Sequence, residues 1–184
     1  MDHLRLFTAV RPPENVLAAI RDAQNHVREL AGAKPIRWVR EENFHVTVHF
    51  LGSPPTTMVD EIAATIEASA RRIAAPMELA LTAVGAFPNV RRPRTLWVGV
   101  EDRNRRLTEL ELLMREGLRN LDFELDERPF RPHVTIGYVR KRVTAAERSA
   151  VKTALHESRV RQIAFQAFQV LLVRSDTGPG GSVY

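Results

Sequence analysis

The feature that most constrains this chain is a repeat. HVTVHFLG begins at position 45 and HVTIGYVR at position 133, so the same His-Val-Thr triplet returns after 88 residues. Each copy lies in a run rich in β-branched and aromatic residues, which reads as a strand. The surroundings of the two copies also match. In the first half, a strand over 4–10 is closed by Pro12-Pro13, and a helix over 14–31 carries an apolar stripe of Val16, Leu17, Ile20, Val27 and Leu30 up to Gly32. A short strand over 36–39 and the triplet strand over 44–51 follow, stopped by Gly52-Ser53-Pro54-Pro55. Thr56 or Thr57 then caps a helix to about residue 73, a strand covers 77–84, and GAFPNVRRP reads as a loop.

The second half gives a strand over 94–100, then an amphipathic helix over 104–121 with Leu107, Leu110, Leu113, Met114 and Leu118 on one face. The second triplet strand spans 132–139. A helix over 144–157 opens with a Thr-x-x-Glu capping box at Thr144 and Glu147, and a long strand over 163–173 leads into the tail SDTGPGGSVY. Each half thus runs strand, helix, His-x-Thr strand, helix, strand. That order predicts an α+β fold: one bilobal domain over 1–184, duplicated about a pseudo-two-fold axis. Its halves are approximately 1–90 and 91–184, and two antiparallel sheets face a central cleft with the helices outside.

Alternate residues of a strand share a face. His45 and Thr47 therefore point one way, with Val46, Val48 and Phe50 opposite; His133 and Thr135 likewise oppose Val134 and Ile136. With the apolar residues turned to the helices, two imidazoles and two hydroxyls converge on the cleft. Imidazole titrates near neutral pH, so one neutral and one protonated ring can act as base and acid in a single displacement. Hydroxyls can donate to the non-bridging oxygens of a phosphoryl group, where the transition state concentrates charge. Phosphodiester cleavage, or its reversal, fits this set without a metal or other cofactor. His49 falls on the His45 face of a flat strand, but the two rings would start about 13 Å apart, too far to share one ion.

No Gly-rich phosphate loop, His-Glu-x-x-His helix or nucleophile elbow is present. The absence of cysteine excludes disulfides, thiolate metal sites and thiol nucleophiles, and predicts a cytoplasmic protein. No apolar run approaches the roughly 20 residues of a membrane helix, and the N-terminus does not read as a signal peptide. The net charge of +5 suits a phosphate-bearing partner. Lysine occurs only at Lys34, Lys141 and Lys152, so arginine carries most of that charge, a bias that GC-rich coding would also produce.

With its paired triplets and the flanks RLFTAV, IRWVREENFHVTVHFLG, GAFPNVRRPRTLWVGV, RPFRPHVTIG and the tail ending at Tyr184, the chain resembles the 2H phosphoesterase superfamily. Within it, the resemblance is to the RNA 2′,3′-cyclic phosphodiesterases, also called 2′-5′ RNA ligases. The resemblance implies hydrolysis of RNA 2′,3′-cyclic phosphate ends to 2′-phosphates, with reversible 2′-5′ joining in some relatives. It implies a monomer acting on RNA ends or nucleotide cyclic phosphates, with no metal or cofactor and no membrane. His45 and His133 carry over as the catalytic pair, and Thr47 and Thr135 as phosphate binders. His45 is assigned as acid at the 3′ oxygen and His133 as base on water, although the pseudo-symmetry permits the reverse.

Many relatives carry Arg three residues after the second Thr, where this chain has Tyr138; Arg131, on the His133 face, is the nearest replacement for that charge. Stacking on an unpaired base would draw on Phe7, Trp38, Phe44, Phe130 or Tyr138, and Arg91, Arg92 and Arg94 form a basic loop for the RNA backbone. The competing expectations are a 2H phosphodiesterase for a small cyclic nucleotide or ADP-ribose cyclic phosphate, and a non-catalytic RNA-binding module.

Overall fold

Punctuation by proline and glycine sets the first elements. Strand β1 (Leu6–Val10) is buried along its whole length, as expected of an interior strand. Pro13, which has no N–H to satisfy, precedes helix α1 (Glu14–Ala31), and Gly32 ends it at φ 77° with its N–H donated to the Arg28 carbonyl. The α1 stripe buries Val16, Leu17, Ile20 and Val27 as expected, but Leu30 is 38% exposed and Ala31 is buried beside it.

Strands β2 (Ile36–Trp38) and β3 (Val46–Gly52) precede helix α2 (Val59–Arg71), and then come β4 (Met77–Phe87) and β5 (Thr95–Asp102). Helix α3 (Arg106–Arg119), strand β6 (His133–Val139) and helix α4 (Ala145–Glu157) are followed by β7 (Ala164–Ala167), β8 (Leu171–Arg174) and the hairpin β9 (Asp176–Gly178) and β10 (Gly181–Val183). This computed structural model describes residues 2–73, 76–178 and 181–184, so Pro179 and Gly180 of the tail lie outside the described residues. The capping box forms at α4: the Thr144 hydroxyl accepts from the Glu147 N–H, and the Glu147 carboxylate accepts from the Thr144 N–H. At α2, neither Thr56 nor Thr57 caps; a single 3₁₀ turn, Thr56–Met58, leads into the helix instead.

Apart from the two-stranded β9-β10 pair, the strands of the described residues form one antiparallel sheet of eight strands rather than two facing sheets. Its order is β7-β4-β5-β6-β3-β1-β8, with β2 paired to β6. The halves of the chain are interleaved within it. Strand β4 of the first half pairs with β5 and β7, and β8 of the second half pairs with β1. The stretch expected as one long strand is broken into β7 and β8, which lie at opposite ends of this order. Residues 168–170 join them. Four chain steps reach at most about 14 Å, so the sheet curls until its two ends come close. Helices α1 and α4 pack together, as do α2 and α3. The buried Val46, Val48, Val134 and Ile136 belong to the same core as Ile20, Leu107 and Met114. Burying each such branched side chain contributes about 1.5–3 kcal/mol relative to exposure.

Both triplet strands carry a bulge one residue after the threonine. In β3 the pairing with β1 shifts between Ala9↔Thr47 and Thr8↔His49, and in β6 the pairing with β5 shifts between Trp97↔Thr135 and Leu96↔Gly137. An extra residue reverses the in-and-out phase beyond it. The burial follows: Val48 and His49 are both buried before Phe50 emerges, and Ile136 and Gly137 are both buried before Tyr138 emerges. Backbone groups displaced from the ladder find partners elsewhere. The His49 N–H donates to the buried Thr8 hydroxyl at 3.0 Å. The Ile136 carbonyl accepts from the Val39 N–H and from the Gln24 amide at 2.8 Å.

Candidate active site

The two histidines are held in the same way. His45 Nδ1 lies 2.7 Å from the Asn43 carbonyl and His133 Nδ1 lies 2.6 Å from the Arg131 carbonyl, in each case two residues upstream. A carbonyl can only accept, so Nδ1 carries the hydrogen in both rings and proton chemistry falls to Nε2. Strands β3 and β6 run antiparallel and pair at Val46↔Val134. Continuing that register one step in each direction sets His45 toward Thr135 and Thr47 toward His133. A diagonal pair of imidazoles and a diagonal pair of hydroxyls result.

Each imidazole is walled by aromatic rings. Phe7 lies 4.7 Å from His45 between ring centroids, and Tyr184 meets the same ring edge-on at 5.1 Å. On the other side Phe87 meets His133 edge-on at 4.9 Å, with Trp97 at 6.3 Å. The Trp97 ring fits because two neighbours lack side chains: a Cβ on Gly85 would stand 2.1 Å from its outer edge, and one on Gly99 would stand 3.2 Å away.

These walls set the electrostatics. Burial pushes His45 below its ordinary pKa; the bond to Asn43 opposes this, while the charges of His133 and Arg11 lower it further. Burial also lowers His133, against the bond to the Arg131 carbonyl. Both rings are therefore poised toward the neutral form, and a proton on His133 disfavours one on His45.

The bulge brings Tyr138 to the side of Thr135. Burial, then the nearby Tyr184 phenol, push the Tyr138 hydroxyl above its ordinary value; Arg37, the Thr135 hydroxyl and Arg5 act in the opposite direction. Arg37, directly across from Tyr138 on β2, lays its guanidinium 4.6 Å over the phenol ring. The position equivalent to Tyr138 in β3 is Phe50, 63% exposed and 6.1 Å from Phe7.

Phe7 is thus beside His45 and Tyr138 beside Thr135, whereas Phe44 is 1% exposed within the core, out of reach of a base. Trp38 is half-buried under the Arg28 guanidinium of α1, and Phe130 packs partly buried on the core. Arg131 serves His133 through its carbonyl, with its side chain exposed. The Arg91 and Arg92 N–H groups close a turn on the Asn89 side chain, and Arg94 starts the return into β5. Phe50 was expected on the apolar face and His49 on the His45 face; the bulge reverses both. His49 is 4% exposed, and its Nε2 donates to the Glu111 carbonyl of α3 at 3.0 Å. The strand phasing missed Phe50, Phe87, Trp97, Arg37 and Tyr184. An aromatic residue three places after each threonine was the visible signal for Phe50. Among the described residues, no group of three or more His, Cys, Asp or Glu is placed to hold a metal ion, and no helix is long and apolar enough to cross a membrane.

The sequence profile of the family LigT like Phosphoesterase matches residues 10–97. The chain is 31% identical over 182 residues to the RNA 2′,3′-cyclic phosphodiesterase of Methanocaldococcus jannaschii, covering 98% of this chain and 96% of that one. It is 35% identical to the RNA 2′,3′-cyclic phosphodiesterase of Thermus thermophilus, covering 98% and 86%. Among solved structures, TT0787 of Thermus thermophilus superposes with a TM-score of 0.75 at 28% identity, covering 98% of this chain and 93% of that chain. LigT of E. coli complexed with 3′-AMP gives 0.72 over 100% and 94%; at 21% identity this likeness speaks for the fold alone.

Proposed function

The chain belongs to the LigT-like phosphoesterases, and from that premise we propose that it opens RNA 2′,3′-cyclic phosphate ends to 2′-phosphates without a metal. The observation that carries this reading is the matched anchoring of His45 and His133, each presenting Nε2 after Nδ1 is committed to a carbonyl. In the forward direction His133 Nε2 takes a proton from water as the water oxygen bonds to phosphorus. The bond from phosphorus to the 3′ oxygen breaks, and His45 Nε2–H delivers its proton to that oxygen. The two rings end with their protonation states exchanged, and solvent resets them. Thr47 and Thr135 donate to the non-bridging oxygens as charge builds there.

The same steps with a 5′ hydroxyl in place of water give 2′-5′ joining, and run backward they cleave that linkage to restore the cyclic phosphate. An anionic phosphate between the rings favours the proton that burial disfavours, so substrate itself charges the acid. A pseudo-two-fold relation between the two triplet strands accompanies this reading, supported by their shared bulge and burial phase.

The test is an oligoribonucleotide ending in a 2′,3′-cyclic phosphate, incubated with the protein and EDTA. The expected product is the 2′-phosphate, with turnover lost in both His45→Ala and His133→Ala. Loss of wild-type turnover on adding EDTA, or full activity in either variant, overturns the mechanism.

A further inference from the structure

Next to Tyr138 the sheet ends in a basic edge that the topology assembles from three separate parts of the chain. Strand β5 begins opposite the end of β6, with Thr95 across from Tyr138 and the Val139 N–H donating to the Arg94 carbonyl at 2.9 Å. That places the loop bearing Arg91, Arg92 and Arg94 beside the run Arg140-Lys141-Arg142. On the other flank β2 pairs with β6, Ile36 across from Val139, and the Arg140 N–H donates to the Pro35 carbonyl at 2.8 Å. The Arg140 side chain is steadied at this corner, its Nε donating to the Lys34 carbonyl at 3.0 Å.

All six of these basic side chains belong to exposed residues. Among the described residues, none of the six pairs with a carboxylate. The acidic neighbour at this edge is Glu147, already engaged in its capping box and facing Lys34. Six cations without a carboxylate partner thus stand together at one edge of a chain whose net charge is +5. Arg37, stacked on Tyr138, links the edge to Thr135 and the catalytic pair.

We propose that this edge, formed by the 91–94 loop and residues 140–142, binds the phosphates of the RNA strand leading to the cyclic end, making a polynucleotide rather than a mononucleotide the preferred substrate. This inference rests on the proposed function for the reaction itself. Arginines without a carboxylate partner suit phosphate oxygens. Neighbouring strands lie about 4.8 Å apart, so β5, β6 and β2 together give an edge on the order of 10 Å wide, room for about two or three backbone phosphates.

The test pairs the wild type with R140Q/K141Q/R142Q and with the charge-keeping R140K/R142K. Binding of a fluorescent oligoribonucleotide of about ten nucleotides with an unreactive 3′-hydroxyl end is followed by anisotropy across salt concentrations. Each single-strand phosphate contact contributes about 0.7 to the slope of log K against log[salt], so the glutamine triple is expected to lower the slope by about 2. The ratio of kcat/KM for the cyclic-ended oligomer over cytidine 2′,3′-cyclic phosphate falls about tenfold, and R140K/R142K keeps both slope and ratio. An unchanged slope, an unchanged ratio, or equal losses on oligomer and mononucleotide overturns the proposal. Anisotropy needs no turnover: a wild type that hydrolyses neither substrate refutes the reaction, while its salt slope still decides the edge.

Discussion

Gly85→Ala places one methyl group against the indole that walls His133. The Cβ would stand 2.1 Å from the outer carbons of Trp97. Carbon atoms settle near 3.5 Å, so the ring must retreat by about 1.4 Å. It cannot do so freely, because Phe87 lies 5.3 Å away and His133 6.3 Å away between ring centroids. Overpacking of this kind costs about 1–3 kcal/mol. At about 2–4 °C per kcal/mol for a chain of this size, the melting temperature should fall by roughly 2–12 °C.

Displacing a catalytic group by about 1 Å can cost on the order of 100-fold, so kcat/KM on a 2′,3′-cyclic nucleotide should drop about 10- to 100-fold. The decisive measurement is a double-mutant cycle with Trp97→Leu, following melting temperature and kcat/KM together. Trp97→Leu has its own cost, but it removes the atoms that the new methyl strikes. Adding Gly85→Ala to it should therefore do little further harm. If Gly85→Ala is as stable and active as wild type, or if its penalty persists in the Trp97→Leu background, the packing argument for the His133 wall is wrong.

Acid should destabilise the protein through its buried imidazoles. His45, His49 and His133 all have folded pKa values below the ordinary value of about 6.5, so the unfolded chain binds more protons between those lowered values and 6.5. Stability is fully present above about pH 6.5 and falls as pH drops through that window; a melting temperature that stays level or rises on acidification contradicts the assignment. Gln24→Leu removes the amide donors to the Val39 and Ile136 carbonyls. Leaving buried acceptors short costs about 1–3 kcal/mol. Because Ile136 is the bulge that turns out Tyr138, the variant should lose activity beyond its loss in stability; unchanged kcat/KM in the folded variant refutes that link.

Much of the helical scaffold and the residues that form the candidate site were legible in the letters themselves. The stripe of α1 and the Thr144–Glu147 box are local patterns, and period-two alternation placed His45 with Thr47 and His133 with Thr135. Alternation failed where the register shifts, because a bulge depends on the partner strand: nothing within VTVHF signals that His49 turns inward to Glu111. The stretch 163–173 remains apolar through Phe168 and Val170 with no glycine or proline, so its break follows from the curl of the sheet and has no local cue. Gly85, read as part of a loop, lies within a strand because its missing side chain is where Trp97 rests. Trp97 and Phe87 lie in the flanks that carry the resemblance, but their place beside His133 comes from β5 pairing with β6, a contact remote in sequence.

The single pairing Val46↔Val134, which joins the strands of the two histidines, has a mechanical consequence. A rotation of one wall of the sheet about this seam displaces each group in proportion to its distance from the seam. With strands about 4.8 Å apart, a wall three strands out travels roughly three times as far as a group one strand out. The rings of His45 and His133 lie beside this seam, at the short end of the lever. Residues 168–170 tie β7 to β8 at the outer ends, so the walls can shift only together, and the spacing of the two imidazoles stays nearly constant.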